Sequence, residues 1–140
     1  MKILCPVDGS KFTKKALAFL VTHETLCGEG DELVVLHVQP PLPPRVRSMV
    51  GADMATGYQQ EEAEKVLGPI RRFLDRHNLS WREEWKVGNA GDEILKAAGR
   101  HKAHMIVMGT HGHGLLGRAL MGSVAQRVVT GAEVPVLLVK

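Results

Sequence analysis

Five of the 15 glycines of this 140-residue chain lie between Gly109 and Gly122, where an apolar run ends and a helical pattern begins. The apolar run is Met105–Met108, and the helical pattern starts near Ser123. Glycine lets another group come close to the backbone, and the start of a helix carries unpaired N–H groups and a partial positive charge. These residue types, in this order, predict a loop that binds a phosphate-bearing ligand.

Three phosphate-binding patterns can be compared with this loop. Residues 112–117 match the dinucleotide pattern G-x-G-x-x-G, but the last strand lacks the acidic residue expected about 20 positions later. Residues 112–119 nearly match the P-loop, yet Arg118 and Ala119 replace its lysine and its hydroxyl residue. The third pattern is longer and has the spacing G-x2-G-x9-G-S. Its positions are all filled, by Gly109, Gly112, Gly122 and Ser123.

Asp8 is the second candidate for chemistry, because it directly follows the first apolar run, Ile3–Val7. Ser10, two residues later, is a suitable type for a helix N-cap. Asp8 can therefore be a turn aspartate or a carboxylate that faces a ligand, and the residues alone favour neither interpretation.

Seven histidines raise the question of a metal site. His101 and His104 lie at the end of a predicted helix, where the dipole favours a cation. His111 and His113 lie in the glycine loop, within reach of a terminal phosphate. Zinc needs three or four converging ligands, and neither pair has an acidic or cysteine partner nearby. These histidines are therefore not predicted to form a metal site.

Five segments have the composition or alternation of strands, and helical patterns alternate with them. The segments are residues 3–7, 33–38, 81–87, 105–108 and 136–139. The alternation predicts one α/β domain, residues 1–140, with a parallel sheet covered by helices on both faces. Ligands bind beyond the carboxyl ends of such strands, where strand order reverses. In the order 3-2-1-4-5, the turn at Asp8 and the glycine loop would face one crevice.

The Pro-rich segment between Gln39 and Gly57 shows no periodic pattern and is predicted to be irregular. It could fold over a ligand or serve a partner, and the residues do not decide between these roles.

The complete G-x2-G-x9-G-S spacing makes the chain resemble the universal stress protein family, specifically its ATP-binding branch. Further matches are Pro6–Ser10, Leu36–Val38, Val87–Gly88 and Val134–Val139. One departure is Asn89-Ala90, where many members carry a proline, and Asn89 is expected to supply a helix cap instead. The resemblance implies a Rossmann-like fold of the adenine nucleotide alpha-hydrolase-like kind, with five strands in the order 3-2-1-4-5.

The resemblance also implies ATP as the ligand, or ADP or AMP, together with Mg²⁺. It places Asp8 near the ribose and the metal-bound phosphates, and the Val38 backbone against the adenine edge. Gly109 and Gly112 are expected to turn N–H groups inward as an anion nest. The helix start, with Ser123 as N-cap, is expected to add the amides of residues 122–124 and the serine hydroxyl. The predicted nucleotide-binding residues are Pro6, Val7, Asp8, Ser10, Val38, Met108, Gly109, His111, Gly112, His113, Gly122, Ser123 and Val124.

Charge and composition restrict the partners and the compartment. The net charge is +3 and the basic residues are scattered, which argues against a nucleic-acid partner. No apolar run approaches the roughly 20 residues of a membrane span. Cys5 and Cys27 are isolated and no signal-peptide pattern is present, so a cytoplasmic location is expected.

The last strand, residues 134–139, is apolar and is expected at an edge of the sheet. Such an edge invites aggregation unless it is covered. Antiparallel pairing of two copies would cover it, and the family resemblance implies such a homodimer.

The leading functional hypothesis is an ATP-binding regulator of the stress response, with at most slow hydrolysis. Asp8, His113 and Arg118 are the only candidates for catalysis, and none has a spacing that argues for it, so no catalytic residue is predicted. The alternative is a nucleotide-dependent enzyme on a similar fold, either a dinucleotide oxidoreductase or an adenylate-transferring enzyme. A third hypothesis, a scaffold without nucleotide, is disfavoured because the glycines of the pattern are intact.

Overall fold

The computed structural model of the chain describes residues 1–112 and 121–140. Its elements in chain order are β1 (Lys2–Val7), α1 (Lys11–Thr22), β2 (Glu32–Gln39), α2 (Pro44–Val50), α3 (Ala52–Leu74), β3 (Ser80–Val87), α4 (Ala90–Arg100), β4 (Met105–Gly109), α5 (Ser123–Gly131) and β5 (Val136–Val139). None of the helices within these two ranges combines the length and the apolar character that a membrane span needs.

The five strands form one parallel sheet in the order β3-β2-β1-β4-β5. The predicted α/β fold and strand order are confirmed. β1 lies at the centre, with Cys5 opposite Val35 of β2 and Leu4 opposite Ile106 of β4. Strand order reverses between β1 and β4, so the carboxyl ends of these strands border the crevice where such sheets bind ligands.

Side chains of the inner strands alternate between two hydrophobic cores, one on each face of the sheet. Ile3 and Cys5 belong to the core covered by α1 and α3, whereas Leu4 belongs to the core covered by α4 and α5. All three are fully buried. Because both faces of these strands are buried, their sequences are continuous apolar runs rather than alternating ones.

The two edge strands differ in how their edges are protected. β3 carries paired charges: Arg71 of α3 donates to Glu83 from Nε at 2.6 Å and from Nη2 at 2.9 Å. Burial works to raise the pKa of the Glu84 carboxyl, but hydrogen bonds from His101 and Arg100 outweigh it, so this pKa is lowered. Charged side chains along an edge discourage pairing with another chain. β5, at the other edge, has only valine and leucine.

Both cysteines are free thiols in the core under α1 and α3. Burial, together with a smaller effect of the nearby Cys27, raises the pKa of Cys5 to about 12. Burial also raises the pKa of Cys27. Since the thiolate is the reactive form of cysteine, these two residues are core residues rather than nucleophiles at neutral pH.

The prediction of an irregular segment between Gln39 and Gly57 is wrong. Residues 44–50 form α2, and α3 already begins at Ala52. Pro44 occupies the first turn of α2, where its missing N–H costs nothing, and Gly51 separates the two helices with a φ of 85°. Because α2 buries none of its residues, it lacks the core-facing stripe by which sequence patterns indicate a helix.

Two of the three helix N-caps predicted from the sequence are present in the structure. Ser10 caps α1 and Asn89 caps α4, each through a side-chain oxygen that accepts an N–H three residues later, at 3.4 and 3.1 Å. The prediction that Ser123 caps α5 is wrong: Gly122 is the N-cap, and Ser123 is the first helical residue without a side-chain cap bond. A Cβ at position 122 would lie 3.3 Å from the His111 Cα, which favours glycine there.

Replacement of the α4 cap by Asn89→Ala is expected to lower the free energy of unfolding by about 1 kcal/mol, because the first turn loses a hydrogen-bond acceptor. Ser123→Ala is the matched control, since Ser123 makes no cap bond, and it should change that free energy by less than about 0.5 kcal/mol. Urea unfolding followed by circular dichroism measures both. An equal loss in the two variants would show that Ser123 does cap α5.

Candidate functional site

A cavity of about 310 Å³ opens at the carboxyl ends of β1, β2 and β4, on the sheet face covered by α4 and α5. This is the crevice predicted from the strand order, and its volume lies in the range of small-molecule sites, about 300–1,000 Å³. Its lining within the described residues is Pro6, Val7, Asp8, Thr13, Leu36, Val38, Ala90, Ile94, Met108, Gly109, His111, Gly112, Gly122, Ser123, Val124 and Ala125.

Most of the residues predicted for the site lie in this lining. They are Pro6, Val7, Asp8, Val38, Met108, Gly109, His111, Gly112, Gly122, Ser123 and Val124. Ser10 does not line the cavity, because its side chain is buried as the cap of α1. His113 lies outside the described residues.

Five lining residues were not predicted: Thr13, Leu36, Ala90, Ile94 and Ala125. Leu36 lies two residues before Val38, on the same face of β2, so the strand period could have identified it. Thr13 and Ala90 lie in the first turns of α1 and α4. Only the folded chain brings those two turns to the cavity, and no local pattern marks them.

Asp8 lies in the turn between β1 and α1, and this turn fixes its side chain. Asp8 Oδ1 accepts hydrogen bonds from the Ser10 N–H at 2.9 Å and from the Thr13 hydroxyl at 2.8 Å. The Asp8 N–H donates to Thr13 Oγ1 at 2.9 Å, and Gly9 completes the turn with a φ of 81°. Asp8 is thus a turn aspartate that also lines the cavity, so the two interpretations left open by the sequence are compatible.

The glycines of the site allow close approach and do not adopt left-handed backbone. Positive φ is absent at Gly109, Gly112 and Gly122. A Cβ on Gly109 would lie 2.5 Å from Phe12 Cβ, and a Cβ on Gly112 would come closer still to Asp8 Oδ2. Because neither Gly109 nor Gly112 has a left-handed conformation, an anion nest at these glycines would have to use a turn conformation, and it stays a prediction.

The start of α5 supplies backbone amides to the cavity wall. The Gly122 N–H donates to the Thr110 carbonyl at 2.7 Å, so the expectation that this amide faces a ligand is wrong. The helical ladder begins with the Gln126 N–H, which donates to the Gly122 carbonyl at 2.9 Å. The amides of Ser123 and Val124 precede that first donor and lie at the positive end of the helix dipole.

Part of the cavity lining is apolar. It is formed by Leu36 and Val38 of β2, Ile94 of α4 and Met108 of β4. Leu36 and Ile94 also belong to the core under α4 and α5 and are almost fully buried. A flat apolar ring can pack on this part of the lining while polar groups of the same ligand reach Asp8 and α5.

The remaining observations concern the polar and ionisable side chains of the cavity. His111 Nδ1 lies 2.9 Å from Thr110 Oγ1, and the His111 ring centre lies 5.1 Å from that of Phe12. Residues 1–112 and 121–140 contain no group of three or more His, Cys, Asp or Glu side chains that could hold a metal ion. Among the described lining residues, Asp8 is the one acidic side chain.

Comparison with known proteins gives one family. A model of the universal stress protein family matches residues 1–140. A universal stress protein of Thermus aquaticus, from the QAH/OAS sulfhydrylase 3' region, is 34% identical over 140 residues, which cover 99% of this chain and 97% of that relative.

Solved structures share the fold over the whole chain. The structure of MJ0577 from Methanocaldococcus jannaschii has a TM-score of 0.85 and 30% identity, covering 99% of this chain and 94% of that one. The universal stress protein of Archaeoglobus fulgidus in complex with dAMP has a TM-score of 0.73 and 24% identity. The match covers 100% of this chain and 98% of that one.

Gly109→Ala is expected to lower the free energy of unfolding by about 1–3 kcal/mol, because a new Cβ would overlap Phe12 and push α1 away from β4. Gly99→Ala in α4 is the control, since no atom lies within 4 Å of a Cβ there. That control should be neutral or stabilising by up to about 1 kcal/mol. Thermal and urea unfolding measure both, and equal stability of the two variants would contradict the Gly109 contact.

Proposed function

The chain belongs to the universal stress protein family, and on this premise we propose that it is a cytoplasmic, nucleotide-dependent regulator of the stress response whose cavity binds ATP, or ADP or AMP. The observation that carries the proposal is the composition of this one cavity. Its lining combines apolar side chains of β2, α4 and β4 with the Asp8 carboxylate and the start of α5. An adenine ring, a ribose and a phosphate chain present the same succession of properties.

Each part of the nucleotide has a proposed position in this cavity. The adenine ring packs against Leu36, Val38 and Ile94, with its edge at the Val38 backbone. The ribose faces Asp8, and the phosphates lie at the amides of Ser123 and Val124. The start of a helix suits a phosphate because its N–H groups and its dipole both favour an anion.

The complex of the Archaeoglobus fulgidus protein with dAMP supports an adenine nucleotide as the class of ligand. That protein has the same fold, and this chain fills every position of the family's nucleotide-binding spacing. The triphosphate is our extension of that support to this chain.

We propose that Mg²⁺ enters the cavity together with ATP. Magnesium is usually held by one or two carboxylates together with substrate phosphates and water. Asp8 supplies one carboxylate, which fits binding through the nucleotide rather than a site made of protein ligands alone. The metal would neutralise charge on the phosphates, and Asp8 would be its carboxylate ligand from the protein.

Slow hydrolysis at most is proposed, because no spacing in the sequence argues for a catalytic role of Asp8, His113 or Arg118, the last two of which lie outside the described residues. That reaction uses a positioned base or water-orienting group and cationic side chains at the transferred phosphate. No lysine or arginine is present among the lining residues of ranges 1–112 and 121–140.

We also propose a homodimer formed by antiparallel pairing of β5 with its copy. β5 is an edge strand of four apolar, partly buried residues. The carbonyls of Pro135 and Val139 accept from Ile106 and Thr110 next to β5. Since backbone groups alternate along a strand, the N–H of Leu138 points away from β4, toward the open edge.

Asp8→Asn is expected to weaken Mg-ATP binding about tenfold, which corresponds to about 1.4 kcal/mol. Asparagine keeps an acceptor for the Ser10 and Thr13 bonds but lacks the negative charge. Isothermal titration calorimetry of the wild type and the variant with ATP, ADP and AMP measures the effect. Asp75→Asn is the control, because Asp75 lies at the end of α3 and accepts a hydrogen bond from Trp81. The nucleotide affinity of this variant should equal that of the wild type.

Two results would contradict this function. A wild-type chain that binds none of the three nucleotides would refute the proposed ligand. Turnover of ATP at about 1 per second or faster, as ordinary enzymes show, would favour a nucleotide-dependent enzyme instead.

Leu138→Pro is expected to convert the dimer into a monomer, because proline removes the outward N–H that the pairing needs. Its bonds to β4 should be retained, so far-UV circular dichroism should remain that of the folded chain. Light scattering coupled to size exclusion at micromolar concentration measures the mass. Leu138→Val, which keeps the N–H, is the control and should remain dimeric, and a monomeric wild type would refute the dimer.

A further inference from the structure

We propose that Thr13 is a positioning residue, which holds the Asp8 carboxylate in the orientation that contacts the ribose hydroxyls of the nucleotide; this role rests on the nucleotide-binding function proposed above. Thr13 was not marked by any pattern in the sequence. It lies in the first turn of α1, is 4% exposed, and lines the cavity.

The Thr13 hydroxyl makes two hydrogen bonds to the same residue. Its Oγ1 accepts from the Asp8 N–H at 2.9 Å, and its hydrogen is donated to Asp8 Oδ1 at 2.8 Å. A hydroxyl has a single hydrogen to donate, so Thr13 commits that hydrogen to Asp8. The backbone and the carboxylate of Asp8 are thereby tied to one side chain of α1.

The Ser10 N–H adds a second donor on the same carboxylate oxygen, at 2.9 Å from Asp8 Oδ1. Rotation of the Asp8 side chain would break both bonds to Oδ1. The carboxylate is therefore held with its other oxygen, Oδ2, toward Gly112, where a Cβ would overlap that oxygen. Thr13 and Ser10 fix one edge of the carboxylate, and the opposite edge lies on the side of the glycine loop.

An ionised carboxylate only accepts hydrogen bonds, so its natural ligand partner is a hydroxyl donor. A ribose offers two adjacent hydroxyl groups, and the proposed position of the ribose is beside Asp8. A carboxylate held in one orientation binds that pair without first losing rotational freedom, which is the benefit of preorganisation.

The test compares Thr13→Val with Thr13→Ser, using ATP and 2′,3′-dideoxy-ATP with the same Mg²⁺ concentration. The two nucleotides carry the same base, phosphates and metal, and differ only in the ribose hydroxyls. The wild type should prefer ATP by about tenfold or more, the fold-change expected for hydrogen bonds to a charged group. Thr13→Val should lose most of that preference, and Thr13→Ser should restore it.

A second measurement does not depend on any nucleotide. Three-bond NMR couplings report the rotamer of Asp8. One rotamer should dominate in the wild type, and its population should fall in Thr13→Val, because one of the two donors to Oδ1 is lost. Thr22→Val is the control on the same helix, because its hydroxyl donates to the carbonyls of Ala18 and Phe19. This control should change neither the ATP preference nor the Asp8 rotamer.

The outcomes separate this role from the proposed function. If Thr13→Val weakens ATP and dideoxy-ATP binding equally, or leaves the rotamer populations of Asp8 as in the wild type, Thr13 is not a positioning residue. If the wild type binds both nucleotides equally, the ribose contact is refuted while nucleotide binding stands. If it binds neither, the proposed function is refuted, and the rotamer measurement alone decides whether Thr13 holds Asp8.

Discussion

The reversal of strand order between β1 and β4 is the constraint that creates the site. β1 pairs with β2 on one side and with β4 on the other. The chain leaves β1 toward α1 on one face of the sheet, whereas α5, which follows β4, covers the opposite face. The two connections therefore diverge, and the space between them at the carboxyl ends of the strands becomes the cavity. The described lining residues belong to β1, β2 and β4, to α1, α4 and α5, or to the turns next to these elements.

Close contact between α1 and the end of β4 determines how these two connections meet. Gly109 lies against Phe12, and Gly112 lies against the Asp8 carboxylate. A side chain at position 109 would push α1 away from β4, and a side chain at position 112 would displace the Asp8 carboxylate. The glycines at these two positions are thus explained by packing, since positive φ is absent at both.

The sequence predicted those parts of the structure that bury apolar surface or depend on local spacing. Buried strands such as β1 are visible as apolar runs, and the glycine spacing identified most of the cavity wall that follows β4. α2 could not be predicted, because it buries none of its residues and shows no core-facing stripe. The choice of Gly122 over Ser123 as helix cap depends on the Thr110 bond and on the His111 backbone. Both are tertiary contacts that neighbouring residues do not encode.

At Asn89-Ala90, where the sequence departs from the family pattern, the start of α4 is fixed by a cap and an ion pair instead of a proline. Asn89 caps the helix by accepting the Asp92 N–H, and the Asp92 carboxylate bonds Arg127 of α5 at 3.1 Å. Arg127 packs closely on Gly91, where a Cβ would lie 2.5 Å from its Cγ. The starts of α4 and α5 are thereby joined on the side of Ala90, which lines the cavity. A ligand that contacts both α4 and α5 in the cavity therefore touches two helices that an ion pair already connects.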